Sequence, residues 1–299
     1  MKHSIFSAAL IFAMTFAGNQ VCADDSVISL LRLEAGNVPA VEIPDVSAPV
    51  IIEEKKALPD DVYRLSGEEL FQYLHKYTVP MKHIHNYTDA KGYMYGIADN
   101  QGCDGIEHGI LTFYSQVCAP GNSRRGDDYK ENGDENKDGV IDKYINAEHI
   151  WPQSFFGKQL PMVSDLHHLQ STFGTPNNRR SNFKFGYVSQ ADARYSTASG
   201  TRGTGGRYEP CDAVKGNVAR SVLYFVTRYY DKDIRQKVDY RSFWTDNINM
   251  FLQWNRQDPP DAREIERNNR IELFQGNRNP YVDDYTLADR VGAEVFASH

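Results

Sequence analysis

The sequence of 299 residues is poor in cysteine and in positive charge, and it has no internal repeat. Its four cysteines include no C-x-x-C pair, which argues against a metal centre built from thiolates. A formal net charge of −7 argues against a simple polycationic DNA-binding protein. The glycines of residues 196–207 do not precede a helix with P-loop spacing, so no cradle for nucleotide phosphates is predicted.

Long apolar runs are also absent beyond the first residues. Residues 1–23 are typical of a secretory signal peptide, because Lys2 and His3 precede an apolar run over residues 5–16. The small residues 21–23 then form a cleavage site. The apolar run is too short to span a bilayer. We therefore predict an exported protein, periplasmic or extracellular, with no membrane association after the signal is removed.

An exported chain can form disulfides. If Cys22 leaves with the signal peptide, three cysteines remain, and we prefer a bridge between Cys103 and Cys118. Cys211 is then either free or paired with a partner that the spacing does not identify.

Charge is unevenly distributed along the chain. Residues 24–60 carry eight acidic residues against three basic ones, with four prolines and no sustained helical period, and indicate a linker or a loosely attached arm. Residues 179–241 carry thirteen Lys/Arg against six Asp/Glu, which is typical of a surface that faces a polyanion. We expect a folded domain over residues 61–290 and a C-terminal tail over 291–299.

Hydrophobic spacing predicts several elements within that domain. Ser66 is a predicted N-cap before an amphipathic helix that ends by Pro80, and residues 111–117 are a predicted strand. Helices are also predicted over residues 218–230, over 243–254, and from 258 to 270. Residues 196–207 are predicted as an exposed, mobile loop.

One acidic stretch resembles part of a calcium-binding loop. Oxygen-bearing side chains stand at positions one, three, five and nine of an EF-hand pattern, with Gly139 at position six. These candidate ligands are Asp134, Asn136, Asp138 and Asp142. Position twelve is Ile145, where the pattern requires a bidentate Glu. The stretch is therefore either a partial site for a structural Ca²⁺ or a plain acidic turn.

The most informative residues are Glu148 and His149, which follow a strand-like segment and precede Trp151-Pro152. On a strand, adjacent side chains point to opposite faces, so the carboxylate could hold a metal while the imidazole acts on a nearby water. Mg²⁺ prefers oxygen ligands and keeps several waters. A histidine titrates near neutral pH and suits general-base catalysis. Alone, such a pair is more often an exposed loop pair, so it needs partners elsewhere in the chain.

Five blocks of sequence, in order, carry a resemblance to a known family. They are NAEHIWPQSFF (146–156), SDLHHL (164–169), NNRRSN (177–182), YEPCDAVKGNVARSVLYFVTRYY (208–230) and WNRQDPPDAREIERNNRIELFQGNRNPYVDD (254–284). Together they resemble the bacterial endonuclease I family of periplasmic and secreted nucleases. The resemblance implies an α+β fold, in which a ββα-metal (His-Me finger) core is embedded in a single domain of helices and small sheets.

The resemblance also implies roles for individual residues. His149 would be the general base, Glu148 and Asn177 would bind Mg²⁺ or Mn²⁺, and Arg180 would lie near the phosphate. The remaining candidates are supporting residues (Asp165, His167, His168 and Asn182) and nucleic-acid contacts (Arg179 and Arg220). The family's phosphate-stabilising arginine, between the two catalytic elements, has no clear counterpart, because residues 157–164 are short. Arg179, Arg180 or Arg220 would replace it.

The implied activity is a Mg²⁺-dependent endonuclease that cuts DNA, with RNA as a further candidate substrate, shows little sequence specificity and leaves 5′-phosphate ends. One alternative is a secreted ribonuclease on the same scaffold. Another is a non-catalytic exported module that binds Ca²⁺ or a polyanion, but such a module has no use for a general base beside a hard-metal site.

Overall fold

The computed structural model describes residues 58–79, 83–121, 129, 131 and 145–299. The predicted signal peptide, nearly all of the 24–60 arm and the four candidate Ca²⁺ ligands of 134–142 lie outside these residues, as does Pro80. No helix in the described ranges is long and apolar enough to cross a membrane.

The helices surround a central, almost fully buried one. They are α1 (Gly67–Thr78), α2 (Tyr87–Tyr93), α3 (Gly174–Arg180), α4 (Lys215–Tyr229), α5 (Tyr240–Phe243), α6 (Ile248–Gln257), α7 (Ala262–Gln275), α8 (Pro280–Asp283), α9 (Leu287–Val291) and α10 (Ala293–Ser298). Nearly every residue of α4 is buried, as expected for a helix in the centre of a core. α4 packs mainly against α6 and α1.

The sequence predicted α1 and α4 well. α1 buries Leu70, Phe71 and Leu74 on one face, with Ser66 at the N-cap position, although the Ser66 side chain makes no capping hydrogen bond. The apolar stripe of α4 lies in the main core, where Phe225 stacks on Trp151 with ring centroids 5.2 Å apart. The spacing of apolar residues therefore placed both helices correctly.

The strands form three small sheets. β1 (Gly109–Leu111) and β2 (Cys118–Pro120) form an antiparallel pair, as do β3 (Ile145–His149) and β4 (Leu169–Phe173). β5 (Lys184–Phe185), β6 (Tyr195–Ser196), β7 (Arg202–Gly203) and β8 (Arg207–Glu209) form a four-stranded sheet in the order β5-β8-β7-β6. The described chain is thus a mixed α+β unit, as expected.

The predicted disulfide is confirmed. Cys103 and Cys118 are bonded, with an S–S distance of 2.02 Å, and Cys211 is a buried free thiol. The bridge ties the start of β2 to the loop before β1.

The predicted strand over residues 111–117 is wrong. β1 ends at Leu111, and the chain turns because the Thr112 carbonyl accepts the backbone N–H of Gln116 at 2.8 Å. Gln116 has a positive φ of 51°, and the Thr112 hydroxyl donates to the Val117 carbonyl. Local hydrogen bonds therefore override the strand-like composition of this segment.

Three further predictions need correction. Residues 196–207 contain parts of three strands, and Thr201 is fully buried, so this segment is not simply an exposed loop. The helix predicted over residues 243–254 is interrupted near Trp244, between α5 and α6. The C-terminal residues are not a loose tail, because α10 buries Phe296 in the main core.

Candidate active site

The hairpin of β3 and β4, followed directly by α3, carries the three central candidates. Glu148 and His149 end β3, opposite Gln170 and Leu169 of β4. Asn177 of α3 donates its Nδ2 hydrogens to the Ala147 carbonyl, at 3.2 Å, and to Asn146 Oδ1. The structure therefore brings Glu148, His149 and Asn177 onto one continuous unit.

His149 is held in one tautomer by the main chain. Its Nε2 lies 3.0 Å from the carbonyl oxygen of Val163, and a carbonyl can only accept, so Nε2 carries the hydrogen. Nδ1 then has a lone pair, and the described residues provide no hydrogen-bond donor for it. Burial, followed by the nearby His168, lowers the pKa of His149 to about 3. The imidazole is consequently neutral at pH 7, the form that can accept a proton.

Glu148 is buried, with only 2% of its surface exposed, and has few partners. Tyr114 donates its hydroxyl to Oε1 at 2.7 Å, and an Arg180 guanidinium nitrogen lies 3.2 Å from the same oxygen. Oε2 has no hydrogen bond from the described part of the chain. Burial raises the pKa of Glu148 to about 7, although Arg180 and Tyr114 act to lower it. One carboxylate oxygen is therefore available for a ligand.

The donor set fits a hard divalent cation. Oε2 of Glu148 is unpaired, and the Asn177 amide directs Nδ2 toward β3, which leaves Oδ1 as a second oxygen donor. No group of three or more His, Cys, Asp or Glu occurs as a metal cluster among the described residues. Two oxygen donors without further carboxylates suit Mg²⁺, which retains most of its water shell.

Arg180 lies inside the protein. Its guanidinium donates to the main-chain carbonyls of His149, at 2.9 Å, and Ile150, and it also contacts the Phe185 ring. Arg180 is 1% exposed. It thus stabilises the end of β3 and lies beside the carboxylate of Glu148. The sequence resemblance had instead implied a position near the phosphate.

Asp165 and the two following histidines form a buried network behind the hairpin. Asp165 accepts hydrogen bonds from Tyr224 and Tyr229 hydroxyls, each at 2.8 Å. His167 donates its Nε2 to the Asn277 carbonyl, and His168 donates its Nε2 to the Met162 carbonyl. The His168 ring lies 5.4 Å from the His149 ring, between centroids. His168 therefore packs against the candidate base, while Asp165 and His167 hold the surrounding elements.

Two predicted contacts are placed elsewhere. Arg220 is fully buried in α4 and donates to both oxygens of Glu264, so it cannot reach a substrate, and the predicted nucleic-acid contact is wrong. Asn182 lies beyond the end of α3, because Ser181 leaves the helix with a φ of 52°, and its side chain is exposed. Arg179, in contrast, is exposed and lies over the Tyr195 ring at 5.9 Å.

Two residues were missed from the sequence. Tyr114 is buried against Glu148, but it comes from the segment that was mistaken for a strand, so no sequence pattern marked it. Lys158 is exposed in the loop between β3 and β4. Residues on both sides of Lys158 contact His149, through the Phe156 ring and the Val163 carbonyl. Lys158 is the only Lys or Arg between His149 and Asp165, and that signal could have identified it.

Comparison with known proteins defines the family. The model of the Endonuclease I family matches residues 67–285. The chain therefore belongs to the endonuclease I family, which confirms the resemblance seen in the five sequence blocks.

Several curated relatives match the chain over part of its length. An extracellular ribonuclease of Bacillus amyloliquefaciens is 35% identical over 156 residues, or 49% of this chain and 53% of that protein. An extracellular deoxyribonuclease of Aeromonas hydrophila is 29% identical over 46% of this chain and 65% of its own length. Endonuclease-1 of Buchnera aphidicola is 31% identical over 40% and 44%. The chain thus spans about half the length of the first of these relatives and under two thirds of the others.

Proposed function

We propose that this protein is a Mg²⁺-dependent endonuclease, with a ββα-metal core formed by β3, β4 and α3. It hydrolyses phosphodiester bonds with little sequence specificity and leaves 5′-phosphate ends. The observation that carries this proposal is a neutral His149 with a free Nδ1, adjacent to Glu148 and on the same unit as Asn177.

His149 acts as the general base. Its Nδ1 accepts a proton from a water molecule while the Val163 carbonyl keeps Nε2–H in place. General-base assistance of this kind contributes about 10²- to 10⁴-fold to a rate. The fixed ring orientation means that no reorganisation is needed when the proton moves.

Glu148 and Asn177 would hold the divalent cation. When bound, Mg²⁺ supplies Lewis-acid stabilisation of charge on the phosphate and the leaving oxygen, and Mn²⁺ accepts the same oxygen donors. Tyr114 and Arg180 keep Glu148 in place from the protein side. Such supporting contacts commonly change metal affinity or activity by about 10- to 100-fold.

We assign contacts with substrate phosphates to two exposed cations, Lys158 and Arg179. Lys158 is exposed between Phe156 and Val163, which both contact His149. Its charge helps to lower the pKa of that imidazole, after burial, His168 and Arg180. Arg179 is exposed on α3, two residues after Asn177. Phosphate contacts position a nucleic acid without reading its sequence, and they weaken as salt rises. Weak specificity and salt-sensitive activity are therefore expected.

The substrate is DNA, with RNA also accepted. Relatives include proteins named for each activity, at 35% identity for a ribonuclease and 29% for a deoxyribonuclease. The ribonuclease match keeps a secreted ribonuclease as the second candidate. The signal-like residues 1–23 and the extracellular or periplasmic names of the relatives support export.

The test is cleavage of plasmid DNA and of total RNA, with Mg²⁺ or with EDTA, by wild type and by His149→Ala. We expect wild type to cut with Mg²⁺ and not with EDTA, and His149→Ala to be slower by at least about 10²-fold. His83→Ala is the matched control, because His83 is exposed and lies outside the hairpin–helix unit. Cleavage of RNA alone would select the ribonuclease. A His149→Ala protein that cuts as fast as wild type would refute the mechanism.

A further inference from the structure

A cavity of about 320 Å³ lies beside the start of α3, where Phe173, Thr175 and Pro176 line it. Its lining residues include the aromatic residues Phe173 and Tyr195 and the hydroxyl-bearing residues Ser115, Thr175 and Thr197. This volume lies at the lower end of the range for small-molecule sites, which suits one nucleoside-sized group. The combination of flat rings with hydroxyl donors and acceptors fits a planar heteroaromatic ligand.

Two chain segments that line the cavity also carry residues of the candidate active site. Ser115 directly follows Tyr114, whose hydroxyl donates to Glu148. Thr175 and Pro176 directly precede Asn177, whose amide is bonded to β3. A group held in the cavity therefore contacts the same two segments that position the proposed metal ligands.

α3 carries a cation close to one of the residues that line the cavity. Thr175 and Arg179 are four residues apart and lie on the same face of the helix. Arg179 is exposed, and its guanidinium lies 5.9 Å from the centroid of the Tyr195 ring. A negatively charged backbone could thus contact Arg179 while the attached ring enters the cavity.

We propose that this cavity is a nucleobase subsite, in which one unpaired base of the substrate stacks on Tyr195. The inference rests on the proposed nuclease function and adds a preference to it. A base in a duplex must leave its stack to enter a pocket, whereas a base in a single strand does so at little cost. The subsite therefore favours single-stranded over double-stranded nucleic acid, without requiring a particular base, because every base offers an aromatic face.

Binding measurements test the subsite separately from catalysis. Fluorescence anisotropy in EDTA would compare a labelled single-stranded oligonucleotide with a duplex of the same sequence, so that no cleavage occurs. We expect Tyr195→Leu to weaken single-strand binding by about 5- to 100-fold, the range for loss of one stacked base, and to change duplex binding by less than about 2-fold. Tyr195→Phe retains the ring and should bind both ligands as wild type does.

Tyr63→Leu is the matched control. Tyr63 is 50% exposed and also lies beneath an arginine, with the Arg290 guanidinium 5.9 Å from its ring centroid, but it does not line the cavity. This variant should leave binding of both ligands unchanged. An equal loss on single strand and duplex in Tyr195→Leu, or no loss on either, would overturn the subsite. Failure of wild type to cut any nucleic acid with Mg²⁺ would instead refute the nuclease function, so the two failures are distinguishable.

Discussion

Two buried carboxylates have opposite surroundings: Glu148 in β3, and Asp165 in the connection from β3 to β4. Asp165 is surrounded by donors: Tyr224, Tyr229, Gln275, the His167 backbone N–H and, as an ion pair at 3.4 Å, Arg228. Among the described residues, Glu148 is contacted by Tyr114 and Arg180 alone, both on one oxygen. Burial opposes ionisation of both, yet Arg228 and then the neighbouring histidines lower the pKa of Asp165 to about 2, whereas burial raises that of Glu148 to about 7.

The difference separates a structural carboxylate from a functional one. A buried charge that is fully hydrogen-bonded holds elements together, and its removal leaves donors without acceptors. A buried carboxylate with an unpaired oxygen is costly unless something binds there. We infer that Asp165 stabilises the fold and that Glu148 binds a ligand. Substitutions that keep side-chain shape can test this contrast.

The largest expected effect is on activity, from Glu148→Gln. Loss of a direct metal-binding oxygen should lower kcat/KM by more than about 100-fold, since supporting residues alone account for about 10- to 100-fold. Stability without metal should be unchanged or increased at pH 7, because burial favours the neutral form of this side chain. Cleavage rates with Mg²⁺ and thermal melting in EDTA measure the two effects. Near-normal cleavage by Glu148→Gln would remove this residue from the proposed metal site.

The second effect is on stability, from Asp165→Asn. This change leaves Arg228 buried without its carboxylate and should reduce the free energy of unfolding by about 3–5 kcal/mol at pH 7. The folded fraction should retain measurable cleavage. Urea unfolding followed by tryptophan fluorescence gives the stability change, and a loss below about 1 kcal/mol would contradict a structural role.

Wild type and Asp165→Asn should also differ in how their stability changes at acid pH. The pKa of Asp165 is lowered from 3.8 to about 2, so its contribution, about 2 kcal/mol, is present above pH 3.8 and is lost as pH falls toward 2. Asp165→Asn should lack this loss. Burial lowers the pKa of His167 and His168 from 6.5 to about 4, so destabilisation between pH 6.5 and 4 should remain in both proteins.

The smallest expected effects come from removing one tyrosine hydroxyl from each carboxylate. Tyr114 donates to Glu148, and Tyr224 donates to Asp165. Tyr114→Phe should reduce cleavage by about 10-fold, because Glu148 loses its hydroxyl donor. Tyr224→Phe should leave cleavage within about 2-fold but lower stability by about 1–3 kcal/mol, because Asn277 also loses a partner for its amide. If both variants lose stability and neither loses cleavage activity, the assignment of Tyr114 to the active site is wrong.

Helices α1 and α4 could be predicted, and so could the proximity of the three central candidates, because their signals are local. Apolar spacing identified α1 and α4, and the order of sequence blocks brought Glu148, His149 and Asn177 together as candidates. The hairpin–helix connection is short in sequence, so these three residues meet without long-range information.

The remaining contacts depend on partners that are distant in sequence. In the sequence, Arg220 resembles a surface cation. In the structure it lies in the core, paired with Glu264, which is 44 residues away. Gln275 reaches Asp165 from 110 residues away. Tyr114 comes from a turn whose hydrogen bonds, rather than its composition, decide its direction. A pattern of residue types records none of these pairings.

The hydrogen bond from His149 to Val163 has a consequence for comparing relatives. Its acceptor is a main-chain oxygen, which every amino acid provides, so position 163 can vary without altering which ring nitrogen is protonated. Substitutions of Val163 would therefore act on the packing of the main core, where its side chain is buried, and not on the tautomer of His149. An insertion or deletion between residues 156 and 163 would displace the oxygen. The number of residues between Phe156 and Val163 therefore decides where this acceptor lies, whatever side chain residue 163 carries.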